Sequence, residues 1–237
     1  LNKQLSASSH GNSYRSESVR LAWPAKWMAM GFDLALSGNA DKPLSKWQDA
    51  FIPMLLQQDL AQVMLSDRQP LVSETQRLLP NRISPPPSEM PQWSLAAMAI
   101  GLALAGILAW AIRKPKLLGI LQLSFWFLSG LLGSIMLFLW IGTEHYFGHA
   151  NENILLLSPL AWLAFGLYFV KDKSTALAKA YQLTLTLMAT MAVIAVLLKL
   201  MPFSAQQNLN WIVMVLPVHW LILRHAKIRP IKNNLQK

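Results

Sequence analysis

The side chains best able to do chemistry are concentrated in one short stretch, residues 143–153, with the sequence TEHYFGHANEN. The candidates there are Glu144, His145, His149, Asn151 and Asn153. His145 and His149 would share one face of a helix, so together with Glu144 they could bind a metal ion. Gly148 disfavours a helix, however, and the pattern is much looser than a complete zinc motif. We therefore expect no resident metal ion and no other cofactor.

Two other interpretations of this stretch are open. In one, Asn151 or Asn153 caps the following helix, and the glutamate and histidine side chains face lipid headgroups. In the other, Glu144 and His145 orient a lipid headgroup or a catalytic group of an adjoining domain. The chain has no cysteine, which excludes disulfides, thiolate metal sites and a cysteine nucleophile within it. It also lacks a Gly-rich phosphate loop and a G-x-S-x-G motif, so no catalytic residue is predicted here.

The elements that must position this stretch are apolar. Hydrophobic residues make up 54% of the 237 residues and charged residues only 14%, a composition typical of a membrane protein. Five apolar runs lie in the C-terminal part, at about 93–112, 117–141, 154–170, 180–200 and 209–223. The first four can each cross about 30 Å of hydrocarbon as helices. The fifth is short and contains Pro217, so it could instead lie in the membrane interface.

The distribution of basic residues decides between these alternatives. The net charge is +10, yet residues 1–91 hold nine Lys/Arg against eight Asp/Glu, and residues 92–237 hold twelve against three. The basic connections and the tail carry Arg113, Lys114 and Lys116, then Lys171, Lys173 and Lys179, then Arg224, Lys227, Arg229, Lys232 and Lys237. The two connections between them, after the second and fourth runs, contain no Lys or Arg. This alternation fits the positive-inside rule only if all five runs cross, and it calls for no nucleic-acid partner.

The predicted fold class is mainly α, a five-helix transmembrane bundle preceded by the C-terminal remnant of a periplasmic α/β-type domain. The predicted parts are the domain end at 1–79, a Pro-rich linker at 80–92, the transmembrane domain at 93–225 and a basic cytoplasmic tail at 226–237. Because the chain begins with Leu1 and opens without a signal-like stretch, we interpret it as the C-terminal piece of a longer protein.

Several single residues carry local predictions. Ser45 and Gln48 match a capping box that starts a helix. In the apolar half, Ser129 and Gly133 favour close helix packing. Pro159 is expected in the first turn of the third helix, with a local kink as the alternative. His219 is a functional candidate as an ionisable residue within the membrane, although a bond to a neighbouring helix is favoured. Lys199 ends the fourth run, from which its side chain would reach the lipid headgroups.

Two stretches resemble the Lnb-like family, bacterial proteins with an N-terminal periplasmic domain followed by five transmembrane helices. The first is SGLLGSIMLFLWIGTEHYFGHANENILLLSPL, in which residues 143–145 are Thr-Glu-His where the family commonly has Thr-Asp-His, and the Asn151-x-Asn153 pair leads to Ser-Pro-Leu. The second is NSYRSESVRLAWPAKWMAMGFDLALSGNADKPLSKWQDAFIPM, which resembles the end of the periplasmic domain. The resemblance covers nearly the whole chain.

The resemblance implies N-acylation of lipoproteins, in which an acyl chain moves to the α-amino group of a lipidated N-terminal cysteine. That chemistry is expected to use a cysteine and a histidine of the periplasmic domain, through an acyl-thioester. This chain has no cysteine, so the nucleophile is expected upstream of Leu1 and the chain alone is not expected to catalyse the reaction.

Two classes of function are therefore open. In the first, the chain is the membrane-embedded part of an acyltransferase at the bacterial inner membrane. It would position lipid and lipoprotein substrates at the outer leaflet with Glu144, His145, Asn151 and Asn153. In the second, it is a non-catalytic membrane anchor or assembly module. The expected partners are membrane lipids and lipoproteins, with the N-terminal segment periplasmic and the C-terminus cytoplasmic.

Overall fold

The computed structural model describes residues 8–65, 68–80, 82, 84–170, 175–202, 204 and 206–228. The chain forms two compact units, one of Leu1–Leu36 and Ala40–Pro91 and the other of Ser37–Asn39 and Gln92–Lys237. Five of the basic residues that support the predicted topology lie outside the described residues, namely Lys171, Lys173, Arg229, Lys232 and Lys237.

The first unit is small and mostly helical. Its elements are β1 (Ser8–Ser13), α1 (Tyr14–Ala22), α2 (Lys26–Ala35), β2 (Pro43–Ser45), α3 (Lys46–Asp49) and α4 (Pro53–Ala61). The strands β1 and β2 pair antiparallel. The predicted capping box is confirmed, since Ser45 Oγ accepts the Gln48 N–H at 3.2 Å and Gln48 Oε1 accepts the Ser45 N–H at 2.9 Å. These two bonds satisfy donors that a helix start leaves without partners.

A fully buried arginine organises the first unit. Arg15 donates from Nε to Asp41 Oδ1 at 2.7 Å and from Nη1 to Asp33 Oδ1 at 3.2 Å. Its Nη2 also donates to the Leu36 carbonyl at 2.7 Å. The planar guanidinium thus joins α1 to residues at and after the end of α2, a role for which its fork of donors is suited.

The described residues of the second unit form five α-helices. They are α5 (Ser94–Ala111), α6 (Pro115–Ile141), α7 (Ala161–Phe169), α8 (Thr175–Leu198) and α9 (Leu209–Ile228). Among the described residues, three helices are long and apolar enough to cross a membrane by themselves, namely α5, α6 and the Ala176–Leu198 part of α8, while Leu209–His225 in α9 is a shorter apolar helix. α5 packs along α9, α9 packs along α8, and α7 lies against both α6 and α8.

The third apolar run departs from the prediction of one continuous helix. Its helix begins only at Ala161 and spans nine residues, about 14 Å. It is preceded by a 3-10 helix, Glu152–Leu155, and then by an irregular segment, residues 156–160. Pro159 therefore lies before the helix and not in its first turn. Non-helical backbone at this depth requires burial in protein, and Leu156, Leu157 and Ser158 are indeed buried.

Candidate functional site

The connections after α6 and after α8 lie at the same end of the second unit. The connection after α6 bonds to the connection after α8 through Glu152 and Lys199 and through Asn153 and Asn208. The start of α5 joins them, since Ser94 Oγ donates to Asn210 Oδ1 at 2.6 Å. We call residues 142–160 and 199–210, together with Ser94, the polar end.

An ion pair lies at the centre of the polar end. Lys199 Nζ is 2.5 Å from Glu152 Oε2, and the two side chains are 22% and 16% exposed. Lys199 Nζ also donates to the Gln206 carbonyl at 2.7 Å. Ser204 Oγ donates to the other carboxylate oxygen, Glu152 Oε1, at 2.7 Å. Because both charges have several hydrogen-bond partners, the pair is sustained where solvent access is restricted.

Side-chain amides extend this network inwards. Gln206 Oε1 accepts the Glu152 N–H at 2.8 Å, and Gln206 Nε2 donates to Asn151 Oδ1 at 2.9 Å. Asn151 Oδ1 also accepts the Asn153 N–H, which caps the 3-10 helix. Asn208 Nδ2 then donates to Asn153 Oδ1 at 2.9 Å. All four amide side chains are buried, so they fix the two connections to each other.

Residues 144–146, which precede this network in the sequence, form an exposed tip. Glu144 and His145 are exposed, whereas His149 is half-buried with its Nε2 3.0 Å from the Thr143 carbonyl oxygen. A carbonyl can only accept, so Nε2 carries the proton in this hydrogen bond. A 3-10 turn, Tyr146–Gly148, replaces the α-helix that metal binding would need. In the described part of the chain, no group of three or more His, Cys, Asp or Glu side chains is arranged to hold a metal ion.

A protein-family model described as the Lnb transmembrane domain matches residues 90–233. This chain belongs to the Lnb family. The match covers all five helices of the second unit and the whole polar end. The Lnb domain here is accordingly a five-helix, multi-pass membrane domain, and the mainly α fold class is confirmed. No curated protein and no solved structure matches the chain.

The structure separates the residues that the sequence grouped together. In this Lnb domain, Glu144 and His145 lie at the exposed tip, while Asn151 and Asn153 are 2% and 0% exposed. His149 lies between these groups and bonds back to its own loop. The two asparagines therefore position the loop, and the tip presents the Glu144 and His145 side chains outwards.

Sequence reasoning missed half of the polar end. The residues not singled out were Glu152, Ser204, Gln206, Asn208 and Asn210, and Lys199 was expected among lipid headgroups. The signal was present in composition, because the two connections without basic residues contain the amide-rich sequences NEN and QQNLN. Amides in two connections predicted on the same side of a membrane can satisfy each other away from water.

His219 and Gly133 support the irregular segment of the Lnb domain. His219 is 3% exposed and its Nε2–H donates to the Leu156 carbonyl at 2.8 Å. The predicted hydrogen bond of His219 thus reaches the irregular segment and not a helix. A Cβ on Gly133 would lie 2.7 Å from the Pro159 nitrogen, so only glycine lets α6 approach this backbone so closely.

Proposed function

We propose that this Lnb domain positions lipid and lipoprotein substrates at the outer leaflet of the bacterial inner membrane. The reaction it serves would be lipoprotein N-acylation, with the catalytic cysteine supplied from outside this chain. A thiolate attacks the ester carbonyl of the acyl donor, forms a thioester and releases the alcohol. The α-amino group of the lipoprotein then attacks the thioester, forms the amide and restores the thiol.

The observation that carries the proposal is the contrast between a rigid base and an exposed tip. Glu152, Lys199 and four buried amides hold the base of the loop. Glu144 and His145 project from it with exposed side chains. A polar group held rigidly at the membrane surface can orient a lipid headgroup and raise the effective concentration of the reactants. We assign that role to Glu144 and His145.

The placement in the outer leaflet rests on charge. Arg113, Lys114, Lys116 and Lys179 belong to the ends of helices opposite the polar end. By the positive-inside rule those ends face the cytoplasm, and the polar end faces the periplasm. Among the described residues of the polar end, Lys199 is the only Lys or Arg, and it forms an ion pair with Glu152. Residues 1–91 then lie on the periplasmic side.

One observation favours the alternative of a non-catalytic anchor or assembly module. Most polar groups of the polar end are bonded to each other, as a purely structural connection between helices would require. The two functions differ in what they predict for the exposed tip, which contributes little to this internal network.

The test uses the gene with any upstream coding sequence included. His145→Ala is expected to lower lipoprotein N-acylation by roughly tenfold, the effect of about 1.4 kcal/mol on a barrier, with unchanged protein abundance. Tyr146→Ala is the matched control, because Tyr146 is a neighbouring ring that is 52% exposed. Acylation measured by mass spectrometry of a reporter lipoprotein decides the result. If the double variant Glu144→Ala/His145→Ala acylates as well as Tyr146→Ala, the tip has no role in substrate positioning and the anchor function stands.

A further inference from the structure

A groove lies between α8 and α9 of the membrane domain. Its volume is about 570 Å³, and it is lined among others by Ala189, Val193, Leu216, Pro217, His219 and Trp220. This volume falls within the range of sites that bind small molecules, roughly 300–1,000 Å³. Pro217 lies inside α9, where its ring removes one backbone hydrogen bond and favours a local departure from a straight helix.

The depth of the groove indicates what it can hold. Val193 lies five residues before the end of α8 at Leu198, which is a distance of about 8 Å along the helix axis. In α9, which begins at Leu209, Leu216 lies seven residues and Leu223 fourteen residues after the start. These intervals correspond to about 10 and 21 Å along the helix axis. Half of the hydrocarbon core is about 15 Å thick. The groove therefore lies between about 8 and 21 Å from the helix ends at the polar end, in the inner part of that leaflet's hydrocarbon and past the midplane.

The wall of the groove is connected to the polar end. His219 lines the groove, and the Leu156 carbonyl that accepts its Nε2–H belongs to the irregular segment. Leu156 lies only three residues after Asn153, whose side chain is bonded to Asn208. A molecule in the groove would thus lie beside the same structure that carries the exposed tip.

We propose that this groove binds one acyl chain of a membrane phospholipid in the leaflet next to the polar end. The inference deepens the proposed function and rests on it, because it supplies the acyl-chain subsite of the lipid donor. The apolar lining matches a hydrocarbon chain, and the groove lies at the depth reached by the distal part of an acyl chain whose glycerol ester is at the polar end. An indentation between two helices can hold such a chain in place, whereas lipids on the outer faces of the helices exchange freely.

The test measures occupancy without requiring turnover. The chain is placed in nanodiscs of phosphatidylethanolamine and phosphatidylglycerol that contain phosphatidylethanolamine with a photoreactive diazirine in one acyl chain. After irradiation, labelled residues are located by mass spectrometry. Labelling is expected to concentrate on groove residues such as Val193 and Leu216. Labelling spread evenly over all exposed apolar positions would overturn the proposal.

Two adjacent residues supply a matched pair of variants. Val193 lines the groove, whereas Ile194 is not among its lining residues, and the two side chains are 48% and 41% exposed. Val193→Trp fills the groove and is expected to reduce labelling of Leu216 by roughly tenfold, as a loss of about 1.4 kcal/mol in binding would do. Ile194→Trp is expected to leave that labelling unchanged. Equal effects of the two variants would contradict a specific groove.

The same variants separate this inference from the proposed function. If Val193→Trp abolishes labelling and lowers N-acylation in the gene with its upstream coding sequence, the groove is the donor subsite. Labelling that is lost while acylation persists overturns the assignment as donor subsite. Failure of His145→Ala to affect acylation counts against the proposed function, while the labelling experiment still reports on the groove.

Discussion

Lys199 and Glu152 form an ion pair across the two connections at the polar end, with Nζ 2.5 Å from Oε2. The two residues lie 47 positions apart in the sequence. The pair joins the connection between α6 and α7 to the end of α8. It also balances the charge of Lys199, at an end of the domain where the described residues include no other Lys or Arg.

Removal of one member of this pair should destabilise the domain. Glu152→Gln leaves the Lys199 charge in a partly buried site, and we expect a loss of about 1–3 kcal/mol in stability. Thermal unfolding in detergent is the measurement. In the double variant Glu152→Gln/Lys199→Met, the loss should be smaller than the sum of the two single losses, because neither charge is left unpaired. Additive losses would show that the pair contributes no coupling.

Gly133 should tolerate no larger residue. In Gly133→Ala the new methyl group would lie 2.7 Å from the Pro159 nitrogen, so backbone must move, and we expect a cost of about 1–3 kcal/mol. Gly106→Ala in α5 is the control, since nothing lies within 4 Å of a Cβ there. That change should be neutral or slightly stabilising because alanine is the better helix former. Thermal unfolding of both variants tests the difference, and equal stability would refute close packing at Gly133.

The predicted orientation can be tested because the chain contains no cysteine. Tyr146→Cys places a thiol in the exposed tip, and Lys179→Cys places one near the start of α8, also at an exposed position. A maleimide that cannot cross membranes should label Tyr146→Cys in intact spheroplasts. Lys179→Cys should react only after permeabilisation. The reverse pattern would show that the orientation is opposite to the predicted one. Labelling of both variants in intact spheroplasts would contradict the prediction that the two positions lie on opposite sides of the membrane.

Local patterns were sufficient for features that depend on neighbouring residues. The capping box at Ser45 and Gln48 was predictable because its two hydrogen bonds span only three residues. The membrane class was predictable because each long apolar run alone reports its preference for hydrocarbon. The prediction that the third run forms one continuous helix was wrong. The apolar composition of this run indicates burial, but burial within the protein also permits the irregular backbone that precedes Ala161.

The sequence by itself determined the fold class and the approximate position of the membrane segments, because hydropathy and helix signals act over a few turns. Only the tertiary structure decided which polar residues meet. Asn153 bonds to Asn208, and Glu152 to Lys199, across intervals of 55 and 47 residues. Such pairs form only after packed helices bring distant connections together. The same packing buried Asn151 and Asn153 and left Glu144 and His145 exposed, which adjacent positions in the sequence could not distinguish.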